Sequence, residues 1–332
     1  MKLFRKVAYA LAMFWLVATV GSCSELNAEP VVAKFTVVPL GTNGGLMESN
    51  LSCYLIAPFG QTDFIALDAG TVFKGLQKAN ANLNNAEERL TPSHIKAYAI
   101  SHAHLDHVSG MVLNSPEDTS KPILALAPTI NTIRDHLFNW EVWPNFANEG
   151  EGHTLNQYHY VRLKPEQTYA VKDTQMTITA FPLSHSGHSA STAFLVKHHA
   201  DSVLYLGDVG PDVIEKSDQL YHVWKTVAPL VQAHQLRAIF MESSFPNSHP
   251  DHLLFGHLTP KWMMSELQTL AELVDSSNPN AALEGLKVVV THIKPSVAGP
   301  AIAELRIMED LNALNHLKLQ FILPESGKPL SL

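Results

Sequence analysis

The sequence predicts an α/β sandwich built on mixed β-sheet, and three observations predict it. Apolar runs rich in β-branched residues alternate with segments of helical length. Of the 332 residues, 46% are hydrophobic and only 16% charged. Average soluble proteins carry roughly 25% charged residues, so a disordered chain is excluded and material for a large core is present. No repeat, heptad run or low-complexity linker divides the chain, and a single domain of about 300 residues is expected, at the upper end of what one core supports.

The first 22 residues read as an export signal. Lys2, Arg5 and Lys6 precede an apolar run over residues 7–20, and the small Gly21 and Ser22 follow. The run is too short for a comfortable membrane span. Val20-Gly21-Ser22-Cys23 also resembles a bacterial lipoprotein cleavage box, which would make Cys23 a lipid-anchored first residue; ordinary cleavage nearby, such as after Ala28, is the rival. Either way the expectation is an exported, periplasmic protein of residues 23–332, soluble or held at a membrane by its lipid. Removing residues 1–22 leaves 20 basic against 31 acidic residues, a net charge of −11 where the full chain has −8. Such an acidic chain excludes broad binding to nucleic acid or anionic membrane. Two cysteines are too few for a disulfide framework or a Cys-based zinc finger. Cys53, inside an apolar stretch, reads as a buried inert thiol.

In the mature chain, strands are expected at 32–40, 51–57, 64–67, 97–100, 123–125, 176–183, 192–196, 203–206, 238–241 and 287–290. Helices are expected at 129–138, 213–234, 260–274 and 300–314. Residues 139–160 show no clear period but carry Trp140, Trp143, Phe146, Tyr158 and Tyr160; a lid over an active site and a packed insertion are both open readings.

Histidine is the most informative count. There are 18, against 17 glycines, and neutral imidazole is the commonest protein metal ligand. The sharpest cluster is Ser101-His102-Ala103-His104-Leu105-Asp106-His107, just after the expected strand at 97–100. In an extended segment, residues two apart share a face, so His102, His104 and Asp106 converge while a turn at Asp106 brings in His107. Four ligating groups in six positions exceed what one structural zinc needs, and a carboxylate among imidazoles suits two adjacent metal ions. Three further polar groups directly follow apolar strands: His185, Asp208 and His292. In α/β folds such positions share one edge of the sheet. Together the four segments supply seven ligands, enough for a two-metal site.

The string from His102 to Pro116 resembles the signature of the class II 3′,5′-cyclic-nucleotide phosphodiesterases, within the metallo-β-lactamase superfamily. Leu105, Gly110, Ser115 and Pro116 match that signature although metal binding does not demand them. Similar matches run along most of the mature chain, including residues 40–45, 191–194, 242–247, 256–260 and 292–295. The resemblance implies a four-layer αββα sandwich with two mixed β-sheets, two zinc ions or other divalent metals, and hydrolysis of cyclic AMP or cyclic GMP to the 5′-monophosphate. It further implies that His102, His104 and His185 hold one metal, that Asp106, His107 and His292 hold the other, and that Asp208 bridges them. His188 competes with His185; the strand-end position favours His185 and leaves His188 as a phosphate contact or a turn residue.

A metal pair holds a hydroxide between its ions and neutralises charge on phosphate oxygens during in-line displacement. No protein nucleophile is needed, and the chain has no Gly-x-Ser-x-Gly elbow. It also lacks a Gly-x-x-x-x-Gly-Lys-Ser/Thr loop, so Gly44-Gly45 reads as a tight turn supporting the metal loop. Two divalent cations make the pocket locally positive despite the acidic surface. Lys294, two residues after His292, is a candidate phosphate contact. His257 precedes Thr259-Pro260, which reads as an N-cap and first helical position. Related phosphodiesterases place a His-x-Thr motif beside an acidic partner, which makes His257 and Glu242 candidates for protonating the leaving oxygen, with a purely structural hydrogen bond as the other option.

Two other readings compete. One is another hydrolase on the same scaffold, acting on a lactam, a thioester or a linear phosphodiester. The other is a zinc-buffering lipoprotein without catalysis, suggested by the scattered His198, His199, His249 and His252. The sequence leaves the oligomeric state open, a homodimer included.

Overall fold

Alternation with a period of two decides which neighbour each strand face meets. In β1 (Phe35–Gly41), Phe35 and Val37 point to one layer while Val38 and Leu40 point to another, and both sets are buried. The computed structural model describes residues 33–332 apart from Asn82, Asn84, His188 and Ala298. The expected export signal over 1–22, Cys23 and His188 therefore lie outside the described residues.

The first sheet continues with β2 (Cys53–Pro58), β3 (Phe64–Leu67), β4 (Ile95–Ala99), β5 (Lys121–Leu126) and β6 (Tyr158–Leu163). The second holds β7 (Thr168–Val171), β8 (Met176–His185), β9 (Ser189–His198), β10 (Asp201–Leu206), β11 (Leu236–Glu242), β12 (Lys287–Thr291) and β13 (Gln320–Ile322). A last short strand, β14 (Leu330–Ser331), returns to pair antiparallel with β1. Among the described residues each sheet has seven strands, in order β14-β1-β2-β3-β4-β5-β6 and β13-β12-β11-β10-β9-β8-β7. Both are mixed: β3 to β6 and β10 to β13 run parallel, the rest antiparallel.

One core lies between the sheets, where Phe35, Tyr54 and Leu124 meet Ile178, Phe194 and Phe240. Helices α1 (Phe73–Ala79), α2 (Leu105–Asn114) and α3 (Ala127–His136) cover the outer face of the first sheet. Beyond the short α4 (Asp212–Glu215), α5 (Gln219–Gln232) and α6 (Pro260–Val274) cover the second sheet, joined after α7 (Pro279–Ala282) by α8 (Pro300–Leu314). The result is the four-layer αββα sandwich, with helices on both outer faces as parallel strands require. α5 turns Leu220, Val223, Trp224, Val227, Ala228 and Val231 inward. At roughly 1.5–3 kcal/mol per large apolar side chain buried, this stripe outweighs the cost of about 3 kcal/mol for Pro229 within the helix.

The expected helix at 213–234 is two helices. Lys216 takes a left-handed conformation, and the Asp212 carboxylate accepts the Leu220 and Tyr221 amides at 3.2 and 2.8 Å, capping α5 where the pattern ran on. Residues 139–157 form a packed segment: Trp143 Nε1 donates to Ser115 Oγ (2.9 Å), and Phe146 and Ala147 join the core beneath the first sheet. Tyr158 and Tyr160 belong to β6. Cys53 is fully buried, and burial followed by the Asp68 charge pushes its thiol pKa up. No helix among the described residues is long and apolar enough to cross a membrane.

Candidate metal centre and active site

The carboxyl ends of the parallel strands, with the end of β8, meet at one rim. Just past the end of β3 stands Asp68, a residue the sequence reading passed over although it follows an apolar strand as the others do. The buried Asp68 accepts Ser101 N (2.7 Å), Ser101 Oγ (2.8 Å) and, from the other sheet, Tyr205 OH (2.6 Å). This ties down the segment after β4. The chain then stays extended to His104, the N-cap of α2, so His102 and His104 share a face. The helix begins at Leu105, earlier than the turn expected at Asp106. Asp106 and His107 are therefore in the first helical turn, where a carboxylate is favoured by the helix dipole.

From the second sheet come His185 at the end of β8, Asp208 two residues past β10, Glu242 at the end of β11 and His292 just past β12. All seven expected ligands fall into two groups that share a neighbour. The ligating atoms of His102, His104, His185 and Asp208 lie within 4.8 Å of one another, as do those of Asp106, His107 and His292. Asp208, buried, stands between the groups: its oxygens are 3.2 Å from His292 Nε2, 3.3 Å from His107 Nε2, 3.7 Å from His102 Nε2 and 3.9 Å from His185 Nε2. Asp208, Glu242, His257 and His292 form a third such cluster. The Gly44-Gly45 turn supports this loop region as expected. Gly45 N donates to Asp106 Oδ2 (2.9 Å), and a Cβ on Gly44 would lie 2.3 Å from the His292 ring.

The hydrogen bonds on the far side of four of the five rings test whether a metal fits; the fifth, His104, turns Nδ1 toward His102 Nε2 at 2.9 Å. His185 Nδ1 donates to the Gly256 carbonyl (2.8 Å), which can only accept. His107 Nδ1 faces Asp68 (2.7 Å), His102 Nδ1 faces Ser101 Oγ (3.0 Å), and His292 Nδ1 faces Ser244 Oγ (2.9 Å). With each Nδ1 proton directed outward, four Nε2 atoms face the centre, the arrangement that neighbours of metal-binding histidines impose. His107 Nε2 is buried without any hydrogen-bond partner. An unpaired buried nitrogen aimed at carboxylate oxygens calls for a cation, so the residues fit divalent metal.

The electrostatics of three rings agree. Burial, then the neighbouring imidazole of His107, pushes His102 well below its ordinary pKa; burial also lowers His104 and His185. These rings are neutral, the form that ligates. Burial opposes charge on His107 too, but Asp208 and Asp68 prevail and push its pKa up. Asp106 and Asp208 are held well below the usual carboxylate range: burial works against this, and His292 and His107 overcome it.

His257 and Glu242 are adjacent. Glu242, fully buried, takes His257 Nδ1 at 2.9 Å and Val209 N at 3.0 Å on Oε1, and Ser244 Oγ at 2.5 Å on Oε2. His257 precedes α6, whose N-cap is Thr259 with Pro260 first in the helix. Lys294 Nζ stands 5.9 Å from the centre of the Phe245 ring, and its charge reaches His257. His249 stacks on Phe245 at 3.9 Å. His198, His199, His249 and His252 belong to none of the three clusters.

The family model described as cAMP phosphodiesterases class-II matches residues 32–327. A 3′,5′-cyclic-nucleotide phosphodiesterase of Aliivibrio fischeri is 40% identical over 309 residues, covering 90% of this chain and 92% of the relative. The Schizosaccharomyces pombe enzyme of the same name is 28% identical, covering 92% of this chain and 96% of its own. The crystal structure of unliganded yeast PDE1 superposes with a TM-score of 0.76 at 25% identity, covering 91% of this chain and all of the yeast chain. Human tRNase Z, short form, shares the fold alone, with a TM-score of 0.53 at 16% identity, covering 89% of this chain and 98% of its own. A metallo-β-lactamase fold protein of Bacillus subtilis has a TM-score of 0.58 at 15% identity, covering 90% of this chain and 99% of its own. This chain belongs to the class II cyclic AMP phosphodiesterase family.

Proposed function

We propose that this protein hydrolyses 3′,5′-cyclic AMP or cyclic GMP to the nucleoside 5′-monophosphate, using two divalent metal ions, zinc by preference. The observation that supports it best is the meeting of seven side chains from both sheets at one rim, with Asp208 common to the two ligand groups. His102, His104, His185 and Asp208 would hold one ion, and Asp106, His107, His292 and Asp208 the other. When bound, such a pair supplies Lewis acidity at phosphate oxygens and an activated water for in-line displacement.

The chain's own residues supply the rest. Glu242 keeps the His257 Nδ1 proton and, against the effect of burial, pushes the ring's pKa up. The imidazolium then carries its second proton on Nε2, ready for the leaving 3′ oxygen. Lys294 adds positive charge beside His257 for a phosphate oxygen. A hydrolysis panel on metal-analysed protein tests the proposal. Close to two zinc ions per chain are expected, with cyclic nucleotides turned over faster than a lactam, a thioester or a linear phosphodiester. Cyclic-nucleotide turnover no better than buffer, or full activity after chelation, would refute it.

We further propose that the protein is exported, on the strength of the charged, apolar and small-residue order of residues 1–22. Mass spectrometry of the mature N-terminus distinguishes a diacylated Cys23 from simple cleavage, and an intact Met1 start in the native host would refute export by this signal.

A further inference from the structure

Ser244 sits two residues beyond Glu242, so on continuing strand geometry both side chains leave the same face. The parallel ladder extends past β11 and β12 to hold it there: Ser243 N donates to Thr291 O (3.1 Å) and Lys294 N to Ser244 O (3.1 Å). The hydroxyl is completely buried and touches three groups: Glu242 Oε2 at 2.5 Å, His292 Nδ1 at 2.9 Å and the His292 carbonyl at 3.1 Å. A hydroxyl has one proton and two acceptor lone pairs. Glu242 and the carbonyl can only accept, so the hydroxyl's proton is shared between them. His292 Nδ1 must then be the donor, and in the neutral, ligating form of the ring Nε2 is left bare. That bare nitrogen faces Asp106 Oδ2 at 3.1 Å and Asp208 Oδ2 at 3.2 Å. Two oxygens opposite a lone pair repel it unless a metal ion, or the ring's own second proton in its place, lies among them.

We infer that Ser244 is a positioning residue shared by two parts of the site: its hydroxyl fixes His292 with Nε2 toward the metal and couples that ring to the Glu242–His257 pair. The connection is continuous, from His292 Nδ1 through Ser244 Oγ and the two Glu242 oxygens to His257 Nδ1. Without Ser244 Oγ, His292 Nδ1 has no acceptor within this chain of contacts, and Glu242 Oε2 keeps only the Leu258 amide at 3.3 Å. The ring is then free to flip or change tautomer. The inference rests on the proposed two-metal reading, and it assigns Ser244 to the ion held by Asp106, His107 and His292.

Ser244→Ala removes the hydroxyl with almost no change of volume, and Ser244→Thr keeps it. Zinc titration against a chromophoric chelator gives two stepwise affinities, and nitrogen-15 NMR of the His292 ring reports its tautomer. In Ser244→Ala one affinity should fall by about 10- to 100-fold, the range for neighbours of metal ligands, while the other stays within about threefold of the parent. The His292 signal should lose its single Nδ1–H form, and Ser244→Thr should restore both readouts. Parent protein that binds two zinc ions beside a Ser244→Ala variant with unchanged affinities and unchanged tautomer overturns the inference alone. Parent protein that takes up no zinc overturns the metal reading, and the inference with it. Should Ser244→Thr prove too bulky to fold, the Ser244→Ala comparison decides by itself.

Discussion

Asp208→Asn lowers kcat/KM for cyclic AMP by about a thousandfold or more, while circular dichroism stays that of the parent chain. Among the described residues, Asp208 is the one carboxylate with oxygens within 4 Å of imidazoles of both ligand groups, at 3.2, 3.3, 3.7 and 3.9 Å. It is buried, and an uncompensated buried carboxylate costs several kcal/mol. The low carboxyl pKa imposed by His292 and His107 against burial shows where that compensation comes from. Asparagine keeps the shape but removes the charge, and its amide turns a donor or a weak acceptor toward each metal position. Loss of a metal's charge stabilisation is worth several kcal/mol, and about 4 kcal/mol is a thousandfold in rate. Steady-state kinetics and metal analysis check the outcome. A variant with parental turnover and two bound metals would remove Asp208 from the bridging position.

How much of this site was legible depended on whether the signal was local. His102, His104, Asp106 and His107 lie together in sequence, and strand ends at 185, 208 and 292 carry their own marker, a polar residue after an apolar run. Topology converts that marker into proximity, because the carboxyl ends of parallel strands in both sheets share a rim. Asp68 had the same marker after Phe64–Leu67 and was missed because one aspartate after one strand is usually a turn. Its role appears only with Ser101, His107 and Tyr205 around it, three partners from distant parts of the chain.

The signature residues that metal binding did not explain now have physical reasons, with one exception. Gly110 lets α2 approach the segment after β3, since a Cβ there would lie 2.7 Å from Ala69 O and Val72 N. Ser115 donates to Val112 O (2.7 Å) and accepts Trp143 Nε1 (2.9 Å), fastening the end of α2 to the packed 139–157 segment. Pro116 fits the short helical turn after α2. Leu105 is two-thirds exposed, and nothing in the structure explains it. Several missed elements have weak patterns: α1 buries only Gly75 and Leu76, β7 buries only Val171, and β13 and β14 are two- or three-residue edges, whereas β6 was missed because the stretch without a clear period runs into it. Helix α2 was hidden by its own start, where an alternating His-x-His-x-Asp pattern reads as extended until the helix begins at Leu105.

His257→Gln separates proton transfer from phosphate binding, and a loss of about 10²- to 10⁴-fold in kcat for cyclic AMP is expected, the usual worth of a general acid. The ring stands among the right neighbours for that role. Glu242 holds Nδ1 at 2.9 Å and favours the charged ring, while Lys294 and burial work against it. The charged ring is therefore sustained by carboxylates, Glu242 first and Asp208 after it, and Glu242 is in turn kept ionised chiefly by His257 against its own burial. A ribose 3′ oxygen is a poor leaving group and needs the proton. A p-nitrophenolate does not. On bis(p-nitrophenyl) phosphate the same variant should lose less than about tenfold, because no proton transfer to the leaving group is required in that transition state. Equal losses on the two substrates would show that His257 binds the phosphate and that the leaving-group proton comes from elsewhere. Equal rates for variant and parent on cyclic AMP would remove the Glu242–His257 pair from the chemistry and leave it a structural hydrogen bond.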